Sequence, residues 1–252
     1  MNLTFFKRVL RSGFLSLGLD LNRYHPETDK WLAQKKLLED VEAPVILDVG
    51  ANVGQTLEAY KSLFPEAEVH CFEPYPDSYR TLQELASQFS RTQTHKLAVA
   101  ERAGESTFYI NPVFHPTNSL LPRPASGRQY YPTGAELEKT ISVKTDTLDA
   151  IVRRLNLSRV NVLKMDIQGA ELSALQGAES LLGEGAIDLI MSEIMFVPHY
   201  EGGALFHELH EFLRLKSYSL FGIYDAHFDD MNWQMRFADA IFISRDLRVR
   251  LK

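Results

Sequence analysis

Four carboxylates stand at or near the ends of short apolar runs, where the side chains of a buried strand first meet a ligand. Asp48 follows Val45-Ile-Leu, Glu73 follows Val69-His-Cys-Phe72, Asp166 follows Val160–Met165 and Glu193 follows Ile187–Ser192. Asp48 leads into Gly50-Ala-Asn52-Val-Gly54, where two glycines permit a tight turn and close approach of a ligand to the backbone. A helix opening after such a turn presents free N–H groups. Asn52 stands where the dinucleotide fingerprint wants glycine, which disfavours a nucleotide-dependent oxidoreductase. A carboxylate at Asp48 suits a cationic ligand group better than a pyrophosphate. Pro74 holds Glu73 extended, so that its carboxylate can accept hydrogen bonds from both hydroxyls of a ribose. Asp166 and Glu193 are candidates for a proton acceptor or acceptor-orienting pair. Two such oxygen ligands also suit a hard cation such as Mg²⁺, completed by waters or His199, although no clear third ligand stands out. His199, between Pro198 and Tyr200, is a candidate for acid–base work.

These residues need a scaffold that brings strand ends together. From Val45 onward, apolar strands alternate with amphipathic helices, the pattern of a parallel sheet covered on both faces. Strands are expected at Val45–Val49, Glu68–Phe72, His95–Ala100, Glu105–Ile110, Thr140–Lys144, Val160–Met165 and Ile187–Ser192. Ser219–Tyr224 and Ala238–Ile243 read as a closing antiparallel pair. Helices are expected at Gln55–Leu63, Asp77–Phe89, Leu148–Leu155, Glu171–Leu182 and Leu205–Leu215. Asn111–Gly134 carries five prolines with Tyr130 and Tyr131 and shows no period, which marks a lid or binding loop or else a disordered segment. His70 and Cys71 lie inside an apolar strand and read as core residues.

Residues 1–42 read as a helical N-terminal extension and 43–252 as the main domain. Asp29–Glu42 suits a short polar helix. Within Asn2–Leu21, Lys7, Arg8 and Arg11 are interleaved with Phe and Leu at amphipathic spacing. Such a helix packs on the domain or on a second subunit of a homodimer, or lies on a membrane surface. The segment lacks the long apolar core and small-residue cleavage site of a signal peptide. A net charge of −6 disfavours nucleic acid as a partner, since phosphate binding needs a basic field. The lone Cys71 excludes an intrachain disulfide and fits a cytoplasmic protein.

The chain resembles the FkbM family of methyltransferases from about Val45 to Glu193. The resemblance rests on the turn Asp48–Thr56, the tripeptide Phe72-Glu-Pro74, Asn118-Ser119, Thr147-Leu-Asp149, Leu163–Glu171, Leu175–Ala178 and the strand ending in Glu193. It implies an α/β, Rossmann-like seven-stranded fold, S-adenosylmethionine as cofactor, and O-methylation of a hydroxyl on a sugar, glycan or polyketide-type small molecule. By the same resemblance Gly50, Asn52 and Gly54 would line the methionine portion, with Asp48 organising the turn or the ammonium. Glu73 beside Pro74 would hold the ribose; on topology alone, Ala98 and Val99 after the third strand would pack near the adenine. Asn118 and Ser119 would touch the cofactor or close over the acceptor. The family usually has Glu where this chain has Gln168, which exchanges a charged acceptor for a neutral amide. The fourth strand ends in Met165-Asp-Ile-Gln168 and not in the Asn-Pro-Pro-Tyr pattern of amino-group methylation, so a hydroxyl acceptor is preferred. A non-catalytic binding module on the same fold is the alternative, disfavoured by the intact Asp48, Gly50, Gly54, Glu73 and Asp166.

Overall fold

The computed structural model describes residues 10–14, 16–17, 25–113, 115–124 and 138–251. The amphipathic segment 2–21 falls largely outside these residues, although 10–14 are helical, and Tyr130 and Tyr131 lie outside them too. No described helix is long and apolar enough to cross a membrane.

A 3-10 turn, Pro26–Thr28, precedes α1 (Lys30–Leu37). Asp29 caps this helix, its carboxylate accepting from the N–H groups of Trp31 and Leu32. There follow β1 (Val45–Val49), α2 (Gln55–Leu63), β2 (Glu68–Phe72), α3 (Pro76–Ala86), β3 (Thr92–His95), β4 (Ala98–Val99), β5 (Gly104–Ile110) and β6 (Lys139–Asp146). The second half comprises α4 (Leu148–Arg154), β7 (Val160–Met165), α5 (Glu171–Gln176), α6 (Glu179–Gly183), β8 (Ile187–Met195), α7 (Phe206–Leu215), β9 (Ser219–Phe228), β10 (Met235–Ile243) and α8 (Arg245–Arg250).

Seven strands form one sheet in the order β3-β2-β1-β7-β8-β10-β9. The first five are parallel, and β10 runs antiparallel to both β8 and β9. The strand order reverses between β1 and β7, and ligands of open α/β sheets bind outside the carboxyl ends of strands at such a point. A second sheet of three strands, β4-β6-β5, stands beside the first.

Side-chain alternation divides the core into two layers. Leu47, Val49, Leu163, Met165 and Ile190 pack with α4, α5, α6 and α7, whereas Ile46, Val69, Val162, Leu189 and Ile241 pack with α1, α2, α3 and α8. Asp48 and Lys164 are directly paired across β1 and β7 on the second face, and Glu193 and Asp239 across β8 and β10. A polar row therefore crosses the sheet near its carboxyl end. Lys30 of α1 closes the row with an ion pair to Asp239, and it pairs with Asp225 at 2.8 Å.

Two expected elements divide. The run His95–Ala100 splits, with His95 ending β3 in the large sheet and Ala98–Val99 forming β4 in the small one. The helix expected over Glu171–Leu182 breaks at Gly177. A Cβ there would come within 2.4 Å of the Ala100 carbonyl oxygen, so the chain passes too close to β4 for a side chain.

Candidate active site

A cavity opens at the point of strand reversal, beyond the carboxyl ends of β1, β2 and β7. It contains about 640 Å³ of atom-free space, open mouth included, within the range of cofactor sites. One side is the β1 turn with Val49, Gly50 and Asn52; the next is Phe72, Glu73 and Pro74 after β2. Leu97, Ala98, Val99 and Phe108 bring apolar wall from the small-sheet region, and Asp166, Ile167 and Gln168 close the side beyond β7. Pro116, Asn118 and Leu120 of the proline-rich segment complete the wall.

Close approach of two strand ends explains Gly50. Its φ is +79°, and an added Cβ would lie 2.0 Å from the backbone oxygen of Asp166. The Asp166 N–H donates to the Val49 carbonyl at 3.1 Å, and Lys164 Nζ donates to the Gly50 carbonyl at 3.2 Å. The glycine turn and the Asp166 segment are thus one rigid unit.

Glu73 lies on the cavity wall with 7% of its surface exposed. Its Oε2 accepts from the Asn52 N–H at 3.0 Å and its Oε1 from the Tyr75 N–H at 2.8 Å. Burial pushes its carboxyl up to about 7, although both N–H groups oppose that shift. Each carboxylate oxygen keeps a lone pair for a further donor.

Asp48 and Gly54 sit behind the wall. Asp48 is fully buried, with Oδ1 at 3.2 Å from Lys164 Nζ, so it ties β1 to β7. Burial raises the Asp48 carboxyl, against the pull of Lys164. Burial alone would lower the Lys164 ammonium, but Asp48 and Asp166 push it up and hold its proton. Gly54 is the left-handed N-cap of α2, packed against Leu85.

The expected pair meets through a third residue. Asp166 is exposed on the cavity wall. Gln168 Nε2 donates to Asp166 Oδ1 at 2.8 Å and to Glu193 Oε2 at 2.9 Å, bridging the two carboxylates. Burial and the like charges of Asp166, Glu171 and Asp239 push Glu193 well above the usual carboxylate range, against Lys164. Glu193 itself does not line the cavity. Among the described residues, no group of three or more His, Cys, Asp or Glu is arranged to hold a metal ion. A cation between Asp166 and Glu193 would have to displace the Gln168 amide.

Asn118 is on the wall, its Oδ1 accepting from the Asn111 N–H at 2.8 Å. Ser119 is buried off the wall and braces the floor, its hydroxyl donating to the Gln168 carbonyl at 2.7 Å. His199 is not brought to the cavity. It is fully buried, Arg236 Nε lies 3.3 Å from its Nε2, and burial and Arg236 lower it to about 4. The turn after Val197 carries its ring toward β10, against Phe237.

Residues 48–220 match the model described as the methyltransferase FkbM domain. The chain belongs to this family. Among curated relatives, the 2-O-methyltransferase NoeI of Sinorhizobium fredii is 28% identical over 150 residues, which cover 55% of this chain and 59% of NoeI. The hexuronic acid methyltransferase AglP of Haloferax volcanii is 29% identical over 160 residues, covering 63% of this chain and 59% of AglP. The chain thus spans under two thirds of these relatives' lengths. A crystal structure of an FkbM methyltransferase from Methylobacillus flagellatus superposes with a TM-score of 0.51 at 18% identity. It covers 79% of this chain and 44% of the other, and it supports the Rossmann-like methyltransferase fold.

The FkbM motifs account for the glycine turn, Glu73, Asn118 and Asp166 on the wall. Sequence reasoning missed Phe108 and Leu120, whose strand and loop do not announce that they fold over the cavity. It treated Gln168 as a departure alone. Spacing from Asp166 cannot reveal that a left-handed Gln168, φ +57°, turns its amide back between two carboxylates.

Proposed function

We propose that the chain is an S-adenosylmethionine-dependent O-methyltransferase whose acceptor is a hydroxyl of a sugar or glycan. The observation that carries this reading is the exposed Asp166 carboxylate lining the same cavity as Gly50, Asn52 and Glu73. The residues present fit the cofactor. Glu73 offers two acceptor oxygens to a ribose, and Leu97, Ala98, Val99 and Phe108 offer an apolar slot to an adenine. The glycine turn lets the methionine portion lie against the backbone.

When bound, the cofactor supplies an electrophilic methyl group on a sulfonium. The protein's tasks are to orient, exclude water and take a proton. Asp166 is placed to take the proton of the acceptor hydroxyl. Pro116, Asn118 and Leu120 screen their side of the cavity from water. Asp48 and Lys164 act behind the wall, fixing β1 against β7. A carboxylate suits a hydroxyl acceptor, which must lose a proton to become a nucleophile. The activities of NoeI and AglP, one a 2-O-methyltransferase and the other a hexuronic acid methyltransferase, support an oxygen on a sugar.

Calorimetric titration with S-adenosylmethionine, S-adenosylhomocysteine and NAD tests the cofactor. Saturable binding of the first two alone is expected, and binding of NAD alone would overturn the reading. Screening oligosaccharides with and without a hexuronic acid for methyl transfer tests the acceptor. Transfer to an amine in preference to every hydroxyl offered would contradict an O-methyltransferase.

A further inference from the structure

We infer that Gln168 is a positioning residue for methyl transfer: its carboxamide, oriented by Tyr200, holds Asp166 and Glu193 side by side and sets the direction of Asp166. The inference rests on the proposed role of Asp166 as proton acceptor and adds the device that aims it.

The amide orientation follows from its neighbours. On one side lie the carboxylate oxygens of Asp166 and Glu193, at 2.8 and 2.9 Å from Nε2. The Asp166 oxygen is an acceptor, and a protonated Glu193 still accepts through its carbonyl oxygen, so the two N–H groups face them. Gln168 Oε1 then faces the Tyr200 hydroxyl at 2.7 Å, which donates to it. The Tyr200 oxygen is also 3.0 Å from the Thr117 carbonyl, which places it within the proline-rich wall. Both protons and the oxygen of the amide are thereby engaged.

The backbone is arranged for the same purpose. Gln168 occupies the left-handed region, φ +57°, uncommon for a residue with a side chain and found where surrounding structure over-determines it. Its carbonyl is pinned by the Ser119 hydroxyl at 2.7 Å, and Ile167 N–H donates to Glu171 Oε1 at 2.9 Å. Both bonds fix the turn from which the amide projects.

The charges around the bridge show why a neutral double donor is useful. Asp166, Glu193 and Asp239 lie along the carboxyl end of the sheet and Glu171 opens α5, while Lys164, Lys30 and the buried Asp48 complete the set. Lys164 is drawn toward Asp48 and the Gly50 carbonyl, and Lys30 toward Asp239 and Asp225. Gln168 is the group that donates to Asp166 and Glu193 at once. With one oxygen of Asp166 tied to the amide, the other is left for the acceptor hydroxyl. The family's usual Glu at position 168 could donate to one of them at a time, and only when protonated, whereas the amide donates to both at any pH.

The test uses the full chain and three variants: Gln168→Ala, Gln168→Glu and Tyr200→Phe. In ¹⁵N-labelled protein, both Gln168 side-chain amide protons should exchange slowly, and Tyr200→Phe and Asp166→Asn should each shift them. On whichever oligosaccharide of the panel the wild type methylates, Gln168→Ala should lower kcat about 100-fold, the scale of a misplaced reacting group. Tyr200→Phe should lower it about tenfold, the scale of one hydrogen bond. KM for S-adenosylmethionine should move little in both. Gln168→Glu keeps the shape and brings in the residue the family usually has, which donates only when protonated, so its kcat should lie below wild type and fall further as the pH rises; a space-filling role would spare it at every pH. Wild-type kcat in Gln168→Glu at every pH, or amide protons exchanging like those of a surface glutamine, would overturn the inference. Full turnover in Asp166→Asn would instead remove the proton-acceptor role and leave the amide-exchange result standing.

Discussion

Replacing Glu73 by Ala tests the cofactor cavity with a magnitude that the structure supplies. The carboxylate already accepts from Asn52 and Tyr75, and a ribose would add its two hydroxyls to the remaining lone pairs. Hydrogen bonds to a charged group contribute about 1.5–3 kcal/mol each, part of which returns when water replaces the lost carboxylate. A net loss of roughly 1–3 kcal/mol, about 5- to 150-fold in Kd, is therefore expected. A second signature follows from the carboxyl being pushed up to about 7 by burial. Above that pH Glu73 is ionised and accepts from both hydroxyls; below it, protonation turns one oxygen into a donor and leaves a weaker, neutral acceptor. The wild-type advantage should be full near pH 8 and shrink as the pH falls below about 7. Calorimetry of wild type and variant with S-adenosylhomocysteine, at several pH values, reads both effects. The ratio of the two constants cancels titration of the ligand itself. A ratio near one at pH 8 in a folded variant, or a ratio independent of pH, would refute the reasoning.

Lys164→Met should leave Asp48 buried without its counter-ion and lower stability by about 3–5 kcal/mol, as expected for breaking a buried pair; urea denaturation measures it. Glu171, pushed up to about 7 by burial from a usual value of 4.5, carries a cost in the folded state that is absent below 4.5 and complete above about 7. Stability should therefore fall as pH rises through that window, and Glu171→Gln should flatten the decline in denaturation curves recorded at each pH.

How much of this was legible in the sequence depends on whether a feature is made by neighbours along the chain. Val45–Val49 running into Gly50, and Glu68–Phe72 running into Glu73, are local patterns, and the structure holds both as read. The seven-stranded sheet followed from their repetition and from the FkbM resemblance. The separation of β3 from β4 was not legible, because Thr92–His95 and Ala98–Val99 are too short for a pattern to show two sheets. Nor was the break between α5 and α6, since the carbonyl that excludes a side chain from Gly177 belongs to Ala100. In the site, Asp48 was found by its position, but its burial depends on Lys164, directly across the sheet. His199 followed the fifth core strand as expected, and only the path of the turn decides that its ring faces Phe237 and Arg236.

The most direct test of the account is product analysis with wild type and Asp166→Asn, using S-adenosylmethionine carrying a labelled methyl group and the oligosaccharide panel. The account predicts that wild type places the label on a sugar oxygen. Asp166→Asn should bind S-adenosylhomocysteine with near-normal affinity yet transfer slower by about 100-fold or more, the scale of general-base catalysis. Label found on nitrogen, or wild-type turnover in Asp166→Asn, would contradict it.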